Sequence, residues 1–169
     1  MPASAEYLYE YVPNFGLAPC ERVIVPIASP SAGAGFTYVV PSGSLELIMG
    51  MRYVLATSAA AANRQPTIRF RDGDGGEFAD TALLTTIAAS QTISVSYVRG
   101  VGAGSQATLP VMIAPLPEFL LSPGYQVVTV VSAMDAADTI TGIRIYTLRM
   151  PILAPGATEH DPRNPNATD

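Results

Sequence analysis

Carboxylates gather most densely in the run Asp72-Gly73-Asp74-Gly75-Gly76-Glu77, where acidic side chains alternate with glycine. Spaced acidic residues hold calcium in an EF-hand loop, which also needs an acidic residue at its twelfth position. Counted from Asp72, that position is Leu83, and leucine has no oxygen to offer a cation. Asp-Gly and Gly-Gly pairs are instead typical of the tight turn of a β-hairpin. We interpret the run as a turn and predict no metal site.

Nucleophilic catalysis would need a serine or cysteine beside a positioned base. The only histidine is His160, between Glu159 and Asp161 near the end of the chain, and Cys20 is the only cysteine. No spacing places these residues next to one another, and a single cysteine excludes both an internal disulfide framework and a multi-cysteine metal site. The sequence therefore predicts no catalytic residues and no cofactor.

Two further sets of carboxylates deserve comparison with a glycosidase, which holds two acidic groups across a cleft. Asp135 and Asp138 lie in a short polar stretch between two strand-like runs, where acidic residues suit a connector. Glu46 and Glu118 are not excluded as such a pair by the sequence alone. We expect a protein without enzymatic activity.

Three tyrosines alternate near the start of the chain, at Tyr7, Tyr9 and Tyr11. A spacing of two places all three rings on one face of a short strand. The alternative is an extended arm that lies on a neighbouring subunit, where tyrosine is a favoured contact residue. The rings could also stack on a sugar. These interpretations stay open, and all three tyrosines are candidate partner-binding residues.

Two arginines, Arg69 and Arg71, alternate with Ile68 and Phe70. In a strand this pattern places the apolar pair inward and the arginines outward. Arginine makes planar bidentate contacts and is well suited to protein interfaces. We therefore add Arg69 and Arg71 to the candidate partner-binding residues.

The elements that must position these residues are β-strands. The ranges 125–132 and 139–148 are rich in valine, isoleucine, threonine and tyrosine, and the polar connector 134–138 joins them. Such residues fit a pleated, half-buried surface. We predict that the two runs form an antiparallel β-hairpin.

The longest alternating segment runs from residue 44 to residue 57. The pattern predicts one strand with two faces, and at about 3.3 Å per residue so long a strand should bend or bulge, which we expect near Gly50. One face is apolar: Leu45, Leu47, Met49, Met51, Tyr53 and Leu55. The other carries Ser44, Glu46, Gly50 and Arg52.

Short strands and turn residues recur along the whole chain, which gives eight or nine strands in all. This pattern predicts an all-β fold, an antiparallel β-sandwich or jelly roll with extended terminal arms. We divide the chain into an N-terminal arm (1–20), a β-sandwich domain (21–150) and an extended C-terminal tail (151–169), which is rich in proline and polar residues.

The amino-acid composition indicates which classes of partner to expect. Hydrophobic residues make up 49% of the chain and charged residues only 14%, whereas about 25% is usual for a soluble domain. This deficit indicates that other protein covers part of the surface. All nine basic residues are arginine, they are scattered, and the net charge is −5, so we expect no nucleic-acid partner. No apolar run approaches the ~18 residues of a membrane span, and the first residues lack the features of a secretion signal, so we expect synthesis in the cytoplasm.

The range from about residue 39 to residue 148 resembles small virion structural proteins of tailed bacteriophages. The resemblance covers roughly two-thirds of the chain and rests on turns and strand ends. Its motifs are Val40-Pro41-Ser42-Gly43 before a long strand, Asn63-Arg64 ahead of the run 68–75, Ala89-Ser90-Gln91-Thr92, the segment 116–124 and the strand 138–148.

The resemblance implies a β-sandwich that coats or decorates a virus particle, such as a capsid decoration or cement protein. It implies a virion location, the major capsid protein or other virion subunits as partners, and a homo-oligomer, for which we favour a trimer. No catalytic residues carry over. A tail- or fibre-associated module that binds host glycan, or that adapts tail components, is the alternative.

Overall fold

The computed structural model describes residues 8–12, 16–101, 106–108 and 110–152. In these parts of the chain the regular structure consists of twelve β-strands, which confirms the all-β fold class. The strands are β1 (Leu8–Val12), β2 (Gly16–Pro26), β3 (Thr37–Val39), β4 (Ser44–Ala56), β5 (Gln65–Arg71), β6 (Glu77–Ala82), β7 (Thr92–Arg99), β8 (Gln106–Thr108), β9 (Val111–Leu116), β10 (Leu120–Leu121), β11 (Gln126–Ser132) and β12 (Thr139–Pro151). The sequence predicts eight or nine strands because β8 and β10 have only three and two residues, too few for a visible alternation. β1 lies in the segment for which an extended arm is the alternative.

The strands form two sheets. The large sheet has the order β1-β2-β12-β4-β7-β9-β8, with β10 paired to β4, and the small sheet has the order β3-β11-β5-β6. All pairs are antiparallel except β7 and β9, which run parallel. β9 lies between β7 and β8 in the sheet and is antiparallel to β8. The β-sandwich is confirmed, whereas the jelly-roll connectivity stays a prediction.

The core lies between the two sheets. Alternate side chains of the large sheet meet alternate side chains of the small sheet, and they are almost wholly buried. A hydrogen bond also joins the layers, because the Tyr97 hydroxyl on β7 donates to the Pro66 carbonyl oxygen on β5 at 3.0 Å. The principal core residues are Ile48, Met51, Tyr53, Leu55, Val95 and Ile145 from the large sheet and Tyr38, Ile68, Phe70 and Val127 from the small sheet.

The predicted hairpin of the two late strands is wrong. β11 pairs with β3 and β5 in the small sheet, whereas β12 pairs with β2 and β4 in the large sheet. The connector therefore crosses between sheets instead of turning within one. Ala133, at a φ of 52°, turns the chain out of β11. Asp138 is fully buried at the start of β12, where its Oδ2 lies 2.9 Å from Arg64 Nε.

The predicted irregularity in β4 is confirmed. Tyr146 of β12 pairs with Gly50, but the next residue, Thr147, pairs with Ile48, so Met49 is the extra residue of a bulge. A bulge reverses which residues face the core. Met51, Tyr53 and Leu55 face inward as expected, but the assignment of Leu45, Leu47 and Met49 to that face is wrong. Before the bulge, Glu46 and Ile48 point into the core.

The predicted division of the chain at residue 20 falls inside a strand. β2 is continuous from Gly16 to Pro26, so the backbone passes without a break from the proposed arm into the sandwich. At the other end, the amide of Ile152 donates to the Gly43 carbonyl oxygen at 2.9 Å. The three-part domain division stays a prediction, and residues 153–169 of the tail lie outside the described ranges. Nowhere in the described ranges is there a helix with the length and apolar character to cross a membrane.

Candidate functional site

Two of the three tyrosines predicted to bind a partner fall on β1. Tyr7 lies outside the described residues, whereas Tyr9 and Tyr11 belong to the strand Leu8–Val12. In the register with β2, Tyr9 is opposite Pro19 and Tyr11 is opposite Leu17. Successive pairs alternate between faces, so these four positions share one face. Residues 8–12 form a strand, and contact of these tyrosines with a neighbouring subunit or a sugar stays a prediction.

The pairing of β2 changes along its length. Residues 16–20 pair with β1, and residues 21–26 pair with β12. Among the described strands, β1 pairs with β2 only, at the end of the strand order. Residues 8–12 and 16–20 therefore form a two-stranded ribbon that continues β2 beyond the last residue paired with β12. We call this element the N-terminal ribbon.

The predicted arginines lie on a different surface. Ile68 and Phe70 are buried in the core, and Arg69 and Arg71 are half-buried on the outer face of the small sheet, as the alternation predicts. Arg69 Nη1 lies 3.2 Å from Glu77 Oε2 on the neighbouring β6. Because Tyr9 and Tyr11 belong to the large sheet, the structure does not gather the four candidate residues that it describes into one site. Their role as contact residues stays a prediction.

The outer face of the large sheet carries a groove that the sequence analysis missed. Ile24 is 60% exposed there, and Met49 and Tyr146 are half-buried. The groove has a volume of about 430 Å³ and is lined by Arg22, Val23, Ile24, Met49, Tyr146, Thr147 and Leu148. We call it the outer groove. The bulge in β4 places Met49 there, and only strand pairing brings β2, β4 and β12 together.

Apolar side chains continue along the same outer face. Leu47 and Leu148 are directly opposite each other on β4 and β12, and both are buried. They belong to a second apolar cluster, separate from the core between the sheets, that also contains Cys20 and Met150 with Leu45, Met49 and Leu120 at its margin. Further across the sheet, Val98 and Val111 are exposed. On this outer face Leu47 and Leu148 are thus buried, whereas Ile24, Val98 and Val111 are exposed.

Glu46, one of the two carboxylates compared with a glycosidase, is held inside the sandwich. The Tyr38 hydroxyl donates to Glu46 Oε2 at 2.6 Å, and Arg149 Nε donates to Oε1 at 2.6 Å. Burial and the adjacent carboxylate raise the pKa of Tyr38 well above its usual value, so the phenol stays protonated as the donor. Hydrogen bonding to Glu46 raises the pKa of Arg149 despite partial burial. Both Glu46 oxygens are occupied in a link between the sheets.

Glu118, the other carboxylate of that comparison, lies at the surface and accepts a hydrogen bond from Arg99 Nε at 2.9 Å. The turn predicted at residues 72–76 is confirmed, since Asp72 Oδ1 accepts from the amides of Asp74 at 3.0 Å and Gly76 at 2.7 Å. Over the described ranges, no three histidine, cysteine, aspartate or glutamate side chains are grouped to hold a metal ion. His160 lies outside those ranges.

An aromatic cluster lies where the β5–β6 turn approaches the start of β11. Phe78 on β6 is 45% exposed. Its ring centroid is 5.4 Å from that of Phe119, 5.8 Å from Tyr125 and 6.3 Å from the buried Phe70. We call these four residues the aromatic rim. It presents a ring to solvent beside the acidic turn.

Comparisons with known proteins add a distant structural similarity. No protein-family model and no curated protein matches the sequence. Among solved structures, the chain is similar to one in the T13 viral particle of infectious bursal disease virus, with 12% identity and a TM-score of 0.30, over 88% of this chain and 36% of that one. It is also similar to VP2 in a subviral particle of the same virus, with 16% identity and a TM-score of 0.27, over 89% of this chain and 41% of that one. The chain thus spans less than half of either protein, and at these TM-scores the similarity carries no argument about fold or function.

Proposed function

We propose that this chain is a non-enzymatic structural protein of a virus particle, a capsid decoration or cement subunit that stabilises a phage head through contacts between subunits. The observation that carries the proposal is the apolar outer face of the large sheet. Ile24, Val98 and Val111 are exposed on it, and the outer groove runs between β2, β4 and β12.

Exposed apolar surface of this kind favours association, since each square ångström removed from water contributes roughly 25 cal/mol. A soluble monomer usually offsets such surface with charge, but charged residues make up only 14% of this chain and lysine is absent. A subunit whose surface is covered by other protein in the assembly does not need surface charge for solubility. This composition therefore supports a protein that works within an assembly.

The partners we propose are the major capsid protein or other virion subunits, together with further copies of this chain in a homo-oligomer, a trimer being favoured. A cement subunit resists internal pressure by adding contact area across shell subunits rather than by chemistry. The outer face of the small sheet, with Arg69 and Arg71, is a second contact surface because arginine pairs with carboxylates in two parallel hydrogen bonds.

The direct test is the protein content of purified particles. Virus particles released from the source host and banded on a density gradient should contain this chain in many copies by mass spectrometry. Gold-labelled antibody against it should decorate heads rather than tails. Particles that lack the chain, or a label confined to the tail, would contradict the proposal.

The aromatic rim favours one alternative, a tail- or fibre-associated module that binds host glycan. Sugars stack on exposed aromatic rings, and acidic side chains next to Phe78 could accept hydrogen bonds from hydroxyl groups. This alternative predicts binding to a glycan array that is lost on Phe78→Ala. A cement subunit predicts no glycan binding by either protein.

A further inference from the structure

Positive charge is concentrated on the outer face of the large sheet. The chain has a net charge of −5. The outward positions of this sheet alternate with the core residues of β4, β7, β9, β12 and the 21–26 part of β2, and none of them is acidic. The charged residues at these positions are all arginines: Arg22, Arg52 and Arg144. This part of the described surface therefore attracts carboxylates.

Arg52 and Arg144 form a pair of like charges. They lie directly opposite each other on β4 and β12, and both are exposed. Side chains at opposite positions have Cβ atoms about 4.5–5.5 Å apart, and like charges there are destabilising. Arg144 Nη1 donates to the Ile143 carbonyl oxygen at 3.2 Å, and a guanidinium has further N–H donors for a carboxylate. An anionic group placed over the pair relieves the repulsion and accepts from both arginines.

The outer groove begins one row of side chains from this pair. The next outward residue after Arg144 on β12 is Tyr146, which is opposite Ile24 on β2 and Gly50 on β4. Gly50 has no side chain, so the face is low between Tyr146 and Val98, the partner of Gly50 on β7. Two residues along a strand span about 6.6 Å. An apolar depression therefore lies about that far from the arginine pair.

We propose that this surface binds an extended segment of a shell subunit in which a carboxylate and two apolar side chains occupy alternate positions. Alternate side chains of an extended chain point to the same side and are about 6.6 Å apart. The carboxylate lies between Arg52 and Arg144, and the apolar side chains enter the outer groove over Ile24 and Tyr146. The inference rests on the proposed function, which supplies the shell, and it names the chemistry that the shell subunit presents.

A second copy of this chain fits the surface less well. Two copies that meet through the same face form an isologous contact, which sets arginines against arginines. Among the described acidic residues of the small sheet, Glu77 and Asp80 already lie beside Arg69. The acidic run 72–76 is a tight turn rather than an extended segment. Charge complementarity therefore favours a different protein as the partner.

Short peptides test this chemistry without a particle. The probe is a peptide in which one glutamate and two valines occupy alternate positions, separated by threonines, and the matched peptide has glutamine in place of glutamate. We expect the protein to bind the glutamate peptide about tenfold more tightly, since hydrogen bonds to a charged group are the stronger ones. At about 1 M salt the Debye length is about 3 Å, so the preference should be lost. Equal binding of the two peptides at low salt overturns the inference.

Variants assign the preference to the arginine pair. Arg52→Gln with Arg144→Gln should abolish the preference for glutamate. Leu84→Asp with Thr86→Asp is the matched control, because it lowers the net charge by the same amount at exposed positions between β6 and β7. The control should keep the preference. A glutamine variant that still prefers the glutamate peptide overturns the inference.

Urea unfolding distinguishes a binding role of the arginines from a structural one. Because Arg52 and Arg144 repel each other, the glutamine variant should unfold at the same or a higher urea concentration than the wild type at low salt. A binding role thus predicts lost affinity with undiminished stability. If the variant unfolds at a lower urea concentration, the arginines support the fold and the inference is overturned.

The outcomes also separate this inference from the proposed function. If the chain is abundant in purified particles but does not prefer the glutamate peptide, the arginine site is rejected and the virion role stands. If the preference is present and is lost in the glutamine variant, but particles lack the chain, the virion role is rejected and the carboxylate-binding site stands.

Discussion

Arg64 is the largest side chain that is completely buried, and each of its donor nitrogens has a partner. Its Nε and Nη2 donate to the two Asp138 oxygens at 2.9 and 3.1 Å, and Nη2 also donates to Ser58 Oγ at 3.0 Å. Its Nη1 donates to the carbonyl oxygens of Ala60 and Ala62, both at 2.8 Å. A buried charge is tolerated only when it is paired and hydrogen-bonded in this way. Arg64 thus ties the connector between the sheets to the segment before β5.

Removal of the Asp138 carboxylate should be strongly destabilising. Asp138→Ala leaves the Arg64 guanidinium buried without its counter-ion, and breaking such a pair costs about 3–5 kcal/mol. Glu77→Ala is the control, because the Arg69–Glu77 pair is more than one-third exposed and such pairs contribute about 1 kcal/mol or less. Urea unfolding measures both. Equal losses in the two variants would contradict the structural role of Arg64.

The same aspartate makes stability depend on pH. Burial alone would raise the pKa of Asp138, but hydrogen bonds from Arg64 and from the amides of Ser58 and Asp135 outweigh it and lower the pKa from 3.8 to about 2. Between these values the unfolded chain binds more protons, so stability rises with pH from about 2 to about 4 and is lost as pH falls through 2. The contribution at neutral pH is roughly 2 kcal/mol.

Urea unfolding at a series of pH values from acid to neutral tests this dependence. Asp138→Asn should be less stable at neutral pH, and its stability should fall less steeply than that of the wild type below about pH 4. If the free energy of unfolding changed with pH in the same way in both proteins, the pKa of Asp138 would be the same in the folded and unfolded states, which would contradict the prediction.

At the scale of elements, the segment that precedes β3 lies very close to β11, and it can do so because residue 35 is glycine and has no side chain. The Thr129 amide donates to the Phe36 carbonyl oxygen at 2.9 Å, and a Cβ on Gly35 would lie 2.0 Å from the Thr129 carbonyl oxygen. Gly35→Ala must therefore push the two segments apart, and we expect a loss of about 1–3 kcal/mol or more.

Gly73→Ala is the matched control for this substitution. A Cβ at Gly73 meets nothing within 4 Å, and its φ is not positive. Its effect on stability should stay within about 0.5 kcal/mol. Thermal or urea unfolding of the two alanine variants gives the comparison, and an equal effect at both positions would show that the segments separate without cost.

The location of strands could be predicted from the sequence, but their partners could not. Alternation and β-branched residues are local properties, and they identified β4, β5, β11 and β12. Pairing depends on contacts between distant residues, such as Arg64 and Asp138, which are separated by 74 positions. The polar connector thus resembles a hairpin turn in sequence. In the structure it crosses from one sheet to the other, and its Asp138 is buried in an ion pair with Arg64.

The candidate site divides in the same way. The outward position of Arg69 and Arg71 follows from the pattern of one strand, and that prediction is confirmed. The outer groove needs three strands that are not consecutive, and it needs the reversal of faces at Met49. The sequence predicts a bulge at this point of β4, but the prediction did not reverse the inward and outward positions on the two sides of the bulge. Only that reversal places Met49 on the outer face.

At the scale of the whole molecule, the two outer faces differ in what they can bind. The small sheet presents Arg69 and Arg71 with Glu77 and Asp80 on the neighbouring strand. The groove of the large sheet is lined mainly by apolar side chains together with Arg22. Arg52 and Arg144 lie beyond the β4 bulge, directly opposite each other. Like charges in this position repel, so that part of the face suits a carboxylate from a partner. Over the described residues, one region of the surface is thus apolar and two are charged, and the use of any of them as a contact surface stays a prediction.

Salt separates these surfaces experimentally. At about 1 M salt the Debye length is about 3 Å, so contacts between exposed charges weaken while apolar burial does not. If copies associate through the outer groove, the dissociation constant of the homo-oligomer should stay within about threefold between low and high salt, and Arg69→Gln with Arg71→Gln should leave it unchanged. Sedimentation equilibrium measures both quantities. An oligomer that dissociates in salt, or in the arginine variant, would assign self-association to the charged face of the small sheet and would leave the apolar face for the particle shell.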